Sequence, residues 1–293
     1  MHLAKSSNLI EGVLVETTSF LFGGETLAGT FYKPSRPLGS ACGVVIVVGG
    51  PQYRVGAHSQ FVRLATSLAR AGTPVLIFDL SGRGDSSGDA LDYYLLNDQI
   101  YYCCELLRNT THVTRVILFG LCDGATAAVL AAKGIPELQG LILVNPWLED
   151  EQQFAQTKVQ SYYLRRLTKP ALWRDLVYGQ LNLWSSAIGF MRTVTDALSF
   201  RTEVSPAPTP GMLTDAIDAL PCDILITISG QDTTGQTFYR HVQRSAPALL
   251  THPRIQWLSL DQADHTLTAE NDEATWLRIT SDFVAQLATD TPS

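Results

Sequence analysis

The chain contains no long apolar run. Its longest, such as residues 43–48, fall far short of the roughly 20 residues that span a bilayer, so membrane insertion is not expected. The first residues, MHLAKSSNLIEG, lack the apolar stretch and small-residue site of a secretory signal, which leads to the expectation of a cytoplasmic protein. Excess charge is also missing. Lys and Arg number 21 against 28 Asp and Glu, a net charge of -7, with no basic cluster, so no nucleic-acid partner is expected. The 5 cysteines are odd in number and contain no CxxC pair, which argues against a zinc site and a disulfide framework and makes reduced thiols the default. No group of residues has metal-ligand spacing, so neither a metal nor a cofactor is expected. There is no internal repeat or low-complexity block, and no feature sets an oligomeric state.

What remains is an ordinary globular composition of 293 residues, 45% hydrophobic and 17% charged. Residues 13–20 alternate in the strand period, Gly23-Gly24-Glu25 makes a turn, and residues 27–32 run back, an antiparallel start. Six short apolar runs without alternation follow, at 44–48, 75–78, 116–119, 141–144, 224–228 and 255–260. Runs of this kind suit strands buried on both faces of a parallel sheet. Helical patterns lie between and after them at 61–71, 93–108, 125–132 and 275–287. The alternation predicts an α/β fold with a mostly parallel, doubly wound sheet. Residues 148–220 break it, with aromatic clusters followed by Pro206, Pro208 and Pro210. They are expected to form a helical lid insertion, leaving 1–147 and 221–293 as the core domain.

The most informative residues are Gly120-Leu121-Cys122-Asp123-Gly124, between a β run and a small-residue helix. This is the G-x-nucleophile-x-G form of a nucleophile elbow, with cysteine where serine is usual. The turn is so tight that the nucleophile takes left-handed backbone geometry, and side chains two residues away on either side would collide. A thiol at a helix N-terminus is also favoured as thiolate. A structural cysteine in an ordinary strand–turn–helix would look the same from these five residues alone. Three further matches set Cys122 apart. Asp232 follows the run at 224–228, placing a carboxylate at the carboxyl edge of the sheet. His265 sits in a loop beyond the last run, so the chain order is nucleophile, acid, histidine. Asp79 to Ser86 close an earlier strand with a glycine-rich turn, which explains Arg83-Gly84-Asp85 better than an attachment tripeptide does. Asp261 and Asp264 are rival acids, but Asp264 adjoins the histidine and sequence neighbours rarely point at each other, so Asp232 is preferred.

These residues resemble the α/β-hydrolase superfamily. Gly49-Gly50-Pro51-Gln52-Tyr53-Arg54-Val55-Gly56, the elbow, Asn145-Pro146-Trp147 and Ala263-Asp264-His265-Thr266 are similar, more narrowly, to hydrolases associated with the exosortase A system of bacteria. The resemblance implies the α/β-hydrolase fold and a cytoplasmic hydrolase. Many relatives have histidine-glycine after the first parallel strand, and the next backbone N–H completes the oxyanion hole. Here Pro51 would fall in that place and proline has no N–H. The oxyanion donors expected instead are the N–H of Asp123 and the backbone or side-chain amide of Gln52, with Arg54 free to bind an anionic substrate group. A thioester on Cys122 would react with water, hydrolysing an ester, thioester or lactone, or pass its acyl group to an amine, thiol or hydroxyl. The expected partner is therefore a small-molecule or carrier-bound acyl substrate. Trp147, Trp173, Trp184, Tyr162, Tyr163 and Phe190 can shape an apolar acyl pocket or simply glue the lid to the body. A scaffold that kept the fold without chemistry is the other reading.

Overall fold

The structure, a computed structural model, describes residues 2–35, 41–50, 52–148 and 208–289. The chain divides into two compact units, residues 1–148 with 210–293, and residues 149–209. Every element below belongs to the first. The lid expected at 148–220 lies mostly outside the described residues, with Trp173, Trp184, Tyr162, Tyr163 and Phe190.

Nine strands form one sheet: β1 (His2–Ile10), β2 (Val13–Phe22), β3 (Glu25–Pro34), β4 (Cys42–Val47), β5 (Val75–Phe78), β6 (Arg115–Leu121), β7 (Leu138–Val144), β8 (Asp223–Ser229) and β9 (Ile255–Leu260). Their order is β1-β2-β3-β5-β4-β6-β7-β8-β9. The first three strands and β5 pair antiparallel, and β5 through β9 pair parallel. From β4 the chain winds out to β5 on one side, while β6 lies on the other and leads away to β7. A crevice therefore opens at the carboxyl ends of β4 and β6, where ligands gather in such sheets.

The apolar runs of β4 to β8 serve both faces of the sheet, which is why they do not alternate, whereas β9 at the edge exposes Gln256 and Ser259. Val45, Val47, Leu118, Leu143 and Ile226 face one layer, and Val44, Ile46, Phe119, Val144 and Leu225 face the other. The first layer receives α2 (Asn97–Thr111), α3 (Asp123–Ala132), α4 (Pro210–Asp218) and α5 (Thr233–Ser245); the second receives α1 (Gln60–Arg70) and α6 (Glu270–Thr289). Trp276 of α6 is fully buried and meets Phe119 edge-on, with ring centroids 5.9 Å apart. Among the described residues no helix is long and apolar enough to cross a membrane.

Several elements differ from the sequence expectation. Strand β1 was not anticipated because its middle reads AKSSN; as the outermost strand it pairs on one side only. Helix α2 begins at Asn97, after a 3-10 turn at Tyr93–Leu95. Helix α6 begins five residues earlier than expected, with Glu270, Asp272 and Glu273 in a first turn whose dipole favours acidic groups. Helix α4 lies within the stretch expected as lid, yet Leu213 and Ile217 are buried in the main core. Replacing Trp276 with alanine should cost about 3–5 kcal/mol, read as a shift in the denaturant midpoint at unchanged slope.

Candidate active site

The turn after β6 is set by steric necessity. Cys122 has φ 60 and ψ -127, a conformation that side-chain-bearing residues seldom adopt. A Cβ on Gly120 would meet the Gly124 carbonyl at 2.4 Å, and one on Gly124 would meet the Val47 carbonyl at 2.5 Å. The Cys122 N–H donates to the Val144 carbonyl at 2.9 Å, fixing the bend to β7. Its thiol is partly exposed, whereas Cys42, Cys103, Cys104 and Cys222 are buried. Burial pushes those four thiols up, that of Cys222 to about 11.

Asp232 follows β8 and has two tasks. Its carboxylate caps α5, accepting from the N–H groups of Gly235 at 2.8 Å and Thr234 at 3.3 Å. Its Oδ1 also lies 3.0 Å from Nδ1 of His265, in the loop between β9 and α6. Burial raises the carboxyl, but the hydrogen bonds from His265, Gly235 and Thr234 outweigh it and the net direction is down. The other two carboxylates turn elsewhere. Asp264 is held by its own loop, by the Thr268 hydroxyl at 2.5 Å and the N–H groups of Thr268 and Thr266 at 3.0 and 3.1 Å. Asp261 accepts from the Ser259 hydroxyl at 3.0 Å. His265 is hydrogen-bonded to Asp232 and to the Cys122 thiol; these bonds, against the opposing effect of burial, push its pKa up to about 10. Thiol, imidazole and carboxylate thus form one chain of contacts.

The loop after β4 rests on the elbow. Gly50, at φ 57, donates its N–H to Asp123 Oδ2 at 2.8 Å, and its carbonyl accepts from Arg83. Gly49 has no room for a side chain, since a Cβ would lie 2.2 Å from Asp123 Oδ1. Burial pushes the Asp123 carboxyl up; the Gly50 N–H and the charge of Arg83 oppose this without cancelling it. As the first residue of α3, Asp123 offers an N–H among those that helical bonding leaves unused. Gln52 is different, because its backbone N–H donates to the Gly49 carbonyl at 3.3 Å. Only its side-chain amide is left for an oxyanion, and its Oε1 is buried with no partner among the described residues. Pro51 lies outside the described residues.

Arg54 was expected to await an anionic group. Its guanidinium instead contacts Asp79 at 2.5 Å, Asp85 at 2.8 Å and the Thr30 hydroxyl at 3.3 Å, and it stacks on Tyr53 at 4.4 Å. Its charge is committed to tying the loop after β4 to the loop after β5. The sequence offered one unused signal of this, an aspartate at the end of a wholly apolar strand. Such a carboxylate is buried as the chain leaves the sheet and needs a cation.

The sequence profile of the alpha/beta hydrolase family matches residues 44–276. The chain belongs to the alpha/beta hydrolase family. No curated protein matches the sequence. Among solved structures, the esterase Pf2001 of Pyrococcus furiosus is 14% identical, with TM-score 0.60 over 94% of this chain and 93% of that one. A thermophilic esterase from Thermogutta terrifontis is 17% identical, with TM-score 0.61 over 98% and 100%. A thioesterase domain from the curacin biosynthetic pathway is 15% identical, with TM-score 0.60 over 93% and 99%. At these identities the likeness is one of fold.

In this alpha/beta hydrolase the His265 ring should titrate near pH 10, followed by its NMR ring signals. Asp232→Asn removes the largest contribution to the raised value, so the ring should then titrate closer to its ordinary value of about 6.5. Because the folded-state pKa is the higher one, the stability contributed by the pair is fully present below about pH 6.5 and lost as pH rises through about 10.

Proposed function

We propose that the protein is an acyl-ester hydrolase in which Cys122 is the nucleophile, His265 the proton carrier and Asp232 the group that orients and charges His265. The observation that carries this reading is the hydrogen-bonded sequence of thiol, ring and carboxylate at the carboxyl edge of the sheet. Nδ1 of His265 is taken by Asp232, so Nε2 is the nitrogen left for sulfur and substrate.

Cys122 attacks as thiolate, its proton held by His265. The sulfur forms a bond to the carbonyl carbon of an ester, thioester or lactone, and the carbonyl oxygen takes the negative charge. The Asp123 N–H and the Gln52 side-chain amide are the donors assigned to that oxygen. Collapse breaks the bond to the leaving oxygen or sulfur, which receives the proton from His265. A thioester remains on Cys122. Water then attacks it while His265 accepts a water proton, and the carbon–sulfur bond breaks to return the thiolate and release a carboxylic acid. Asp232 stays ionised throughout and stabilises the imidazolium.

The esterases and the thioesterase domain among the structural neighbours support acyl chemistry of this class. The narrower likeness to exosortase A-associated hydrolases rests on the four motifs quoted above. A reduced thiol nucleophile fits the cytoplasmic location expected from the sequence, and choice of acyl group falls to the insertion expected between β7 and β8.

Iodoacetamide near neutral pH should alkylate Cys122 at least about tenfold faster than the other four cysteines, read by peptide mass spectrometry. His265→Ala should abolish that preference, and Cys122→Ala should abolish hydrolysis of p-nitrophenyl esters and acyl thioesters. Uniformly slow labelling with no turnover would make the protein a scaffold. Trapping the acyl-enzyme and offering water against an amine or a thiol separates hydrolysis from transfer. Gln52→Ala should lower turnover by roughly ten- to a thousandfold through the loss of one oxyanion donor. An unchanged rate would remove Gln52 from the oxyanion site.

A further inference from the structure

Asn145 has no part in the chemistry above, yet it contacts most of what holds that chemistry in place. It follows β7, is fully buried, and has a left-handed backbone, φ 46. Its N–H donates to the Thr227 carbonyl of β8 at 2.9 Å. Its Oδ1 accepts the backbone N–H of Ser229 at 2.8 Å. A backbone N–H can only donate, so this contact fixes which way the amide faces. Nδ2 then points at the Ser229 hydroxyl, 2.9 Å away, and at the main-chain carbonyl of His265, 3.3 Å away. Gly235, in the first turn of the helix that Asp232 caps, packs so closely that a Cβ there would lie 2.3 Å from Oδ1.

The next residues turn to the nucleophile. The Trp147 N–H donates to the Cys122 carbonyl at 3.3 Å, and the Trp147 carbonyl accepts from the Thr126 hydroxyl at 2.6 Å. Residues 145–147 therefore touch the elbow, the strand end and helix that carry the acid, and the main chain of the histidine.

We propose that Asn145 is a positioning residue that holds the His265 main chain against the end of β8 and so keeps the imidazole between Asp232 and Cys122. A role in packing alone would be met by the two bonds to Ser229. The bond to His265 is the one that couples the strand end to the ring. Without it a partly buried carbonyl loses its donor and the loop loses an anchor. The inference rests on the reading of Cys122 and His265 as a working pair.

The test uses the full chain. Cys122 alkylation by iodoacetamide is measured against pH, with thermal unfolding alongside, for Asn145→Ala, His265→Ala and the double variant. Misplacing the ring in Asn145→Ala should lower alkylation near neutral pH about ten- to a hundredfold and move its pH profile toward that of His265→Ala. In the His265→Ala background the Asn145 change should add less than about a twofold effect, since it acts through the ring. Asn145→Gly, which relaxes the left-handed backbone, serves if the alanine variant does not fold. A folded Asn145 variant with the original rate and profile would overturn the proposal, as would a full further loss in the double variant. If His265→Ala alone leaves alkylation unchanged, the pairing of thiol and ring is wrong and the positioning role falls with it. If His265→Ala is slow while the Asn145 variants stay fast, only the positioning role falls.

Discussion

Three backbone segments meet behind Cys122 at distances that leave no space for side chains. The end of β4, the first loop residue Gly49 and the start of α3 approach closely enough that a Cβ on Gly49 would lie 2.5 Å from the Gly124 nitrogen. Gly49, Gly120 and Gly124 make that approach possible. Once it is made, much else is fixed. The chain has to reverse between β6 and α3 within one residue, so Cys122 takes an unfavourable backbone angle and its side chain is thrust toward solvent. The loop after β4 must lie against the same turn, with its amides beside the start of α3. The strain at Cys122 persists because strand pairing on one side and helix packing on the other over-determine it.

Around this point the protein uses one residue type in several different ways. Asp79 is wholly buried and answered by the guanidinium of Arg54. Asp123 is half-buried, accepts the Gly50 N–H and feels the charge of Arg83, and its carboxyl is still pushed up by desolvation. Asp264 spends itself on the turn of its own loop, and Asp232 shares itself between a helix cap and His265. In Asp123, Asp232 and Asp264 desolvation raises the carboxyl, and the hydrogen bonds and charges set against it decide the net direction. Arg54 is tied to Asp79 and Asp85, and Arg83 donates to the Gly50 carbonyl.

The pattern of legibility follows from the same distinction. The inner parallel strands could be read because burial on both faces leaves them almost wholly apolar, a strong local signal. The elbow could be read because its glycines answer a local steric demand. Helix α5 could not, since Phe238 and Val242 are its only large buried side chains and most of its other residues are polar. Arg54 was misjudged for a related reason. Its partners Asp79 and Asp85 lie beyond α1 in sequence and meet it only when two loops fold over the sheet edge. The backbone of Gln52 was a sound candidate until a turn claimed its N–H, and turns of that kind leave little trace in residue type.

Strand spacing explains why the histidine needs so much support. Adjacent strands lie about 4.8 Å apart, so β9 is about 14 Å from β6 across the sheet. His265 leaves from the end of β9, five residues after Leu260, and five residues fully extended cover about 17 Å. The chain does not run extended there, because it turns back at once, the Ala263 N–H donating to the Leu260 carbonyl at 3.1 Å. The ring can therefore reach the sulfur only if the loop leans back over β8. Two contacts impose that lean: Gly230 donates its N–H to the Leu260 carbonyl at 2.8 Å, and Gln231 donates to that of Ala263 at 3.0 Å. Gly230 also sits so close to Asp261 that a Cβ would lie 2.2 Å from its carbonyl oxygen. The loops that carry Asp232 and His265 are thus zipped together before either side chain is considered, and the Asp232–His265 bond completes an alignment that the backbone has already made.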